Sequence, residues 1–286
     1  MSRDDPAVDT RPVVFVGPTL AEAGDGWGSA VRVLPPARLG DILAAVEAGA
    51  TTIGLIDGIF ELGPSVWHKE ILLALESGVT VAGGASLGAL RAAELQSFGM
   101  HGVGSIFRRY LSGEVDRDDA VMIQHAPAQF GWQPFTLSLF DMVDTLDFAH
   151  ARLGTDLHRQ LTEAAKCLHF SERTWEKLVE RAALPEDRRS EVCELLTRSR
   201  WRTKQEDALA LLAALPSLAH MPRGQRQAVP RTVFLRHMLR EFSRFPDPPA
   251  ATPRGQGIVP PPAETAGVPQ ATPECHDPAP AHFPAR

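Results

Sequence analysis

The segment Gly84-Ala85-Ser86-Leu87-Gly88 sets one hydroxyl among small residues in a G-x-S-x-G pattern. It follows the apolar run VTVAGG (79–84) and precedes the helical pattern LGALRAAE, so Ser86 is expected at a strand-to-helix corner. In acyl-transfer enzymes such a corner is a nucleophile elbow: small neighbours permit the strained turn, and the N–H after the serine, here that of Leu87, can face an oxyanion. The same residues would also serve a plain tight turn, or an anion cradle built on Gly84 and Gly88 at a helix N-terminus. A serine nucleophile needs a base. By topology the nearest candidates are Asp57-Gly58, closing TTIGLIDG, and His68-Lys69-Glu70, opening the next helical pattern. Each has a plainer alternative: His68 packing beside Trp67 at a helix end, Lys69 and Glu70 as solvated first-turn charges, Asp57 as a turn former. Arg91 and Glu94 follow on the helix after the serine, spaced to pair with each other or to let Arg91 reach a carboxylate or phosphate in the crevice. A second group, in YLSGEVDRDDAVMIQH, adds Asp119 and His125, the latter a candidate acid or base from a loop. The spacings match no zinc motif, and neither GxxxxGK[ST] nor GxGxxG after a strand occurs, so no metal and no cofactor are expected.

The elements that must position these residues read as alternating strands and helices. VVFVG (13–17), AVRVLPP (30–36), TTIGLIDG (51–58) and VTVAGG are short apolar runs. Between them RLGDILAAVEAGA, SVWHKEILLALESG (65–78) and then LGALRAAELQSFG carry apolar residues at helical spacing. This predicts an α/β fold with a mainly parallel sheet and helices on both faces, a Rossmann-like or flavodoxin-like three-layer arrangement. Ligands bind such sheets at the strand carboxyl ends, which lines up Gly17-Pro18, Asp57-Gly58 and Gly84-Ala85-Ser86 along one edge. From 135 to 245 the pattern is all helical: 135–154, 156–170, 172–184, 186–215 and 231–245. Between Arg198 and Phe245 there are ten Lys or Arg against three Asp or Glu, a local basic excess that fits solvated helix faces or docking of an acidic partner. The last 41 residues hold 12 of the 24 prolines and almost no large apolar residue, too little to offset the ordering entropy. The expected organisation is a disordered N-terminus (1–12), an α/β domain (13–134), a helical region (135–245) and a Pro-rich disordered tail (246–286).

Composition narrows the function. A formal net charge of -6 argues against nucleic acid as the main partner. Three distant cysteines suggest neither a disulfide framework nor a zinc site, as in a reducing cytoplasm. The polar, acidic start is unlike a secretory signal, and no apolar run approaches the ~20 residues needed to span a bilayer.

The order VFVGPTL, PPARLGD, IGLIDGIF, VWHKEILLALESGV, GGASLGALRAAELQSFGMHGVGSIFRRYLSGEVDRDDAV and His125 resembles the TfuA-like family over most of residues 13–126, with residues 147–286 outside the resemblance. The resemblance implies a partner of YcaO proteins in backbone thioamidation of ribosomally made peptides. In that role the chain would hydrolyse a thiocarboxylated ubiquitin-like sulfur carrier and release sulfide, with the precursor peptide as a further possible partner. Carried over, Ser86 would be the nucleophile and Asp57, His68 and Lys69 the base and orienting groups, with Leu87 and Arg91 stabilising negative charge. The chain departs from the family pattern at Ala120, where an acidic residue is usual, and in LFDMVDTL, which lacks an arginine. The rival expectations are a non-catalytic adaptor that binds the carrier or the YcaO protein, and a generic serine hydrolase. The latter ranks last, because the Ser, Asp, His order of α/β-hydrolases is not followed.

Overall fold

Short runs of Val, Ile and Leu bounded by Gly and Pro form five parallel strands: β1 (Val13–Phe15), β2 (Arg32–Leu34), β3 (Thr52–Leu55), β4 (Thr80–Gly84) and β5 (His101–Val103). They lie in the order β2-β1-β3-β4-β5 in a computed structural model that describes residues 9–24, 26–60, 63–220, 228–233 and 235–236. The expected α/β architecture is present. β5 is an addition to it: three residues, His-Gly-Val, carry too little periodicity to be read as a strand.

Alternation along the strands sorts the core. Val13, Phe15, Ile53, Leu55 and Val81 face one side, where α1 (Asp41–Glu47), α2 (His68–Glu76) and α3 (Leu87–Leu95) cover them. On the other side Val14, Val16, Ile56 and Ala82 meet Ala208, Leu211, Leu212 and Leu215. These four belong to a helix from the far end of the chain. No helix joins β1 to β2; a 3-10 turn at Pro18–Leu20 and a loop do, and the face left bare is covered from the region read as all helical.

That region continues from α4 (Ser105–Leu111) through α5 (Leu139–Leu153), α6 (Thr155–Cys167), α7 (Trp175–Arg181) and α8 (Glu186–Arg198) to α9 (Thr203–Ala219). Phe140, Leu146, Leu161, Leu178 and Leu196 join the core of the first sheet face, so apolar packing crosses position 134 without a break. The helical stretch expected over 186–215 is instead two helices, because α5 captures the break. Thr145 Oγ1 accepts the Trp201 N–H at 2.9 Å, Asp144 accepts the Thr203 hydroxyl, and Asp141 Oδ1 accepts the Lys204 N–H at 3.1 Å. Further along, Asp207 accepts the Ser105 and Ile106 N–H groups at 2.8 and 2.7 Å, which caps α4 and fixes α9 over the sheet. All described residues fall within one compact unit, residues 1–254. The Pro-rich tail, residues 1–8 and, apart from 231–233 and 235–236, the last expected helix lie outside the described residues.

Candidate functional site

The strand order reverses between β1 and β3, since β1 leads outward to β2 and β3 leads the other way to β4. In open parallel sheets the crevice at the carboxyl ends of such a strand pair is the usual ligand site. Two groups of residues stand along this edge: the corner after β4 and a cleft over the ends of β1 and β3.

At the corner, Ala85 adopts φ 67°, a left-handed conformation that is costly for a residue with a Cβ. Ser86 itself, at φ -118° and ψ -128°, is the N-cap of α3. The strain of the elbow therefore falls one residue before the hydroxyl. Gly88 is fixed by a close approach: its N–H donates to the Ile56 carbonyl at 3.1 Å, and a Cβ there would lie 1.7 Å from the Leu55 carbonyl oxygen. Gly58 packs against the Leu87 side chain in the same way, since its Cβ would lie 2.0 Å from Leu87 Cδ2. The Ala89 and Leu90 N–H groups return to the Ser86 carbonyl, whereas the Leu87 N–H has no acceptor among the described residues. Ser86 Oγ likewise makes no hydrogen bond to a described residue, and Ser86 is 5% exposed. Gly84 ends β4 against the Val103 carbonyl.

Asp57, at the end of β3, turns toward β1 instead of toward Ser86. Its Oδ2 accepts the Gly17 and Thr19 N–H groups at 2.9 and 3.0 Å, and its Oδ1 accepts the Thr19 hydroxyl at 2.6 Å. The backbone donors that a phosphate would use in a Gly-rich turn are thus held by a carboxylate of the protein itself. Beside it opens a cleft lined by Thr19, Glu22, Asp141, Arg200, Arg202 and Lys204. Lys204 is 4% exposed; its Nζ donates to the Val121 carbonyl at 2.9 Å. Burial pushes the Lys204 amine below its ordinary range, opposed by the charges of Asp57 and Asp141, and burial pushes the Asp141 carboxyl up. Glu22 Oε2 meets Arg202 at 2.8 Å and Arg200 at 3.2 Å. The sequence offered only a general signal for these residues, the basic excess after Arg198, because nothing local tells a buried Lys204 from its exposed neighbours.

The remaining expected residues are placed as follows. His68 Nε2 lies 2.8 Å from Glu94 Oε2, and Arg91 Nη1 donates to the same oxygen at 2.7 Å while its Nε donates to the Val66 carbonyl. Burial alone would raise the Glu94 carboxyl, but the His68 and Arg91 contacts outweigh it and hold it below its usual value. Glu94 is eight residues beyond Ser86, about 12 Å of helix rise. None of Asp57, His68 and Lys69 makes a hydrogen bond to Ser86 among the described residues. Glu70 is fully buried: its carboxylate accepts the Trp67 N–H at 2.8 Å and the Gly40 N–H at 2.9 Å, so one side chain caps both α2 and α1. Burial pushes it up to about 8 despite those donors. The solvated-charge reading of Glu70 is thereby overturned, since two helix starts converge on it. Asp119 is bound by Arg117 and by Arg173, a fully buried guanidinium, and ties the 118–121 turn to the segment before α7. His125 stacks edge-on against Trp132 at 5.5 Å, and Trp132 stands over Gly17 near the cleft.

Among the described residues no helix is long and apolar enough to cross a membrane. Residues 57–174 match the profile of a family described as TfuA-like protein. Comparison with curated proteins gives no match. The matched segment starts at Asp57, just after β3, and reaches Thr174, so it takes in α5 and α6 as well as the Ser86 corner.

Proposed function

The chain carries a TfuA-like domain at residues 57–174, and from that premise we propose that it acts beside a YcaO protein in backbone thioamidation, hydrolysing a thiocarboxylated ubiquitin-like carrier to release sulfide. The observation that carries this reading is the pairing, at the β4–α3 corner, of a hydroxyl and an N–H that have no partner among the described residues. Ser86 Oγ attacks the terminal thiocarboxyl carbon, and the oxyanion that forms is met by the Leu87 N–H at the N-terminus of α3. Hydrosulfide leaves, an ester to Ser86 remains, and water hydrolyses it to the carrier carboxylate. Asp57, at the end of the neighbouring strand, and His68, the first residue of α2, are the proton acceptors to be tested.

Ser86→Ala removes an atom without hydrogen bonds, so the variant should unfold at the parent temperature. It should release sulfide from the thiocarboxylated carrier about a hundredfold more slowly or worse. Release at the parent rate would sink the nucleophile assignment. A second reading is supported by the lack of any base in hydrogen-bond contact with Ser86 among the described residues: the crevice binds the carrier tail and presents it to the YcaO protein without turnover. Carrier binding by a parent protein that releases no sulfide would establish that reading instead.

A further inference from the structure

The exposed aromatics include one pair that the fold does not need. The buried stripe of α5 runs through Leu139, Met142, Leu146 and Ala149, and Phe148 stands off it, 60% exposed. At the break between α8 and α9, Trp201 is 39% exposed and its ring packs on Phe148, with centroids 5.4 Å apart. Two large rings joined on a solvent face add little to the core, and they are the residue types that anchor protein interfaces.

The pair is held in place before any partner arrives. The Trp201 N–H donates to the buried Thr145 Oγ1 at 2.9 Å, and Asp144 and Asp141 fix the residues that follow through the Thr203 hydroxyl and the Lys204 N–H. Docking at this break therefore costs little ordering of the backbone. Neither ring lines the cleft over β1 and β3, so the face suits a protein surface and not an enclosed small ligand.

The surroundings of the rings are rich in donors. The Trp201 indole N–H has no acceptor among the described residues. Arg152, one turn after Phe148 on α5 and so beside it, is exposed and makes no ion pair or hydrogen bond to a described residue. Arg198, three residues before Trp201, is mostly exposed, and its partner is the equally exposed Glu194 one turn earlier at 3.2 Å, a pair that holds it weakly. The carboxylates of α5 on either side of Phe148 are already taken, Asp144 by Arg109 and Thr203 and Asp147 by His158. A partner that fits this face brings carboxylates around an apolar centre.

We propose that Phe148 and Trp201, flanked by Arg152 and Arg198, form a docking face for an acidic surface of the YcaO protein, with an apolar side chain of that partner against the two rings. The proposal deepens the reading above and rests on it for the identity of the partner. The carrier suits the face less well, because its tail must reach the Ser86 corner and neither ring belongs to that corner.

Calorimetric titration of the full chain with the purified YcaO protein tests the face without turnover. Phe148→Ala and Trp201→Ala should each weaken binding about tenfold or more. Arg152→Glu should weaken it further than Arg152→Ala, and added salt should weaken the parent more steeply than Arg152→Ala, a readout that a merely structural role would not move. Arg159→Ala, which removes an exposed arginine from α6, should bind as the parent does. Should a ring variant not fold, the two Arg152 variants decide. Parent-like binding by the ring and Arg152 variants, or an equal loss with Arg159→Ala, would overturn this proposal alone, whereas no binding by the parent would overturn the YcaO reading and the proposal with it. Carrier binding weakened by the ring variants, or self-association of the chain abolished by Phe148→Ala, would give the face to another occupant and also overturn it. Ser86→Ala should bind the YcaO protein as the parent does, so loss of the hydrolase assignment leaves the docking result standing.

Discussion

The corner at Ser86 and the cleft at Lys204 lie on the same edge of one sheet but are made in opposite ways. Gly84 to Gly88 are consecutive residues, and their arrangement follows from a strand, a left-handed Ala85 and a helix start. The cleft gathers Thr19, Asp141 and the Arg200–Lys204 stretch from three parts of the chain, with Asp57 latching the turn beneath. The corner is fixed by steric fit between backbones, the cleft by polar partners and one captured helix break. Damage should differ accordingly: one methyl at the corner breaks the fold, whereas the cleft loses stability in steps, one unpaired donor at a time.

The largest effect is expected from Gly88→Ala. Its Cβ would stand 1.7 Å from the Leu55 carbonyl oxygen and 2.6 Å from the carbonyl carbon, both backbone atoms of a central strand. No rotamer relieves that contact, so α3 must lift from β3 together with the Ile56 bond. A loss above about 4 kcal/mol in urea unfolding, or no soluble folded protein, is expected. Parent-like stability would mean that the corner is not held by this approach.

The same contrast explains what could be read beforehand. Ser86 and its glycines were legible because five adjacent residues carry the motif, and the parallel sheet was legible because apolar runs alternate with helical periods. The cover of the second sheet face was not, because α9 looks like any other helix until its partner face is known. Glu70 looked like a first-turn charge because its second partner, Gly40, is thirty residues earlier. Lys204 reads as one more cation in a basic stretch, and only the capture of its backbone N–H by Asp141 and of its amine by the Val121 carbonyl sets it inward.

An intermediate effect is expected at Asp57, the latch under the cleft. Asp57→Ala leaves the Gly17 N–H, the Thr19 N–H and the Thr19 hydroxyl without their acceptor in a site 2% exposed, for a loss of about 3 kcal/mol. Asp57→Asn can keep its oxygen toward the two N–H groups and its amide toward the Thr19 oxygen, and should lose about 1 kcal/mol. Guanidinium unfolding of the pair separates the roles. If both variants lose alike, the charge and not the geometry holds the turn. A folded Asp57→Asn that no longer releases sulfide would identify Asp57 as the proton acceptor for Ser86, and one that turns over normally would restrict it to the latch.

The smallest effect is expected at His68, one of the residues that the expected topology brought near Ser86. Its ring is 46% exposed and committed to Glu94, which Arg91 also holds. Exposed pairs of this kind contribute about 0–1 kcal/mol, so His68→Gln should leave stability within about 1 kcal/mol of the parent. The two helices start at different heights: the first residue of α2 meets the third turn of α3, about 12 Å of rise below Ser86. From there the imidazole has no path to Ser86 Oγ without leaving Glu94, and sulfide release should change by less than about threefold. A hundredfold loss with stability intact would mean that carrier binding draws α2 up along α3, and that the corner, like the cleft, is completed by residues distant from it.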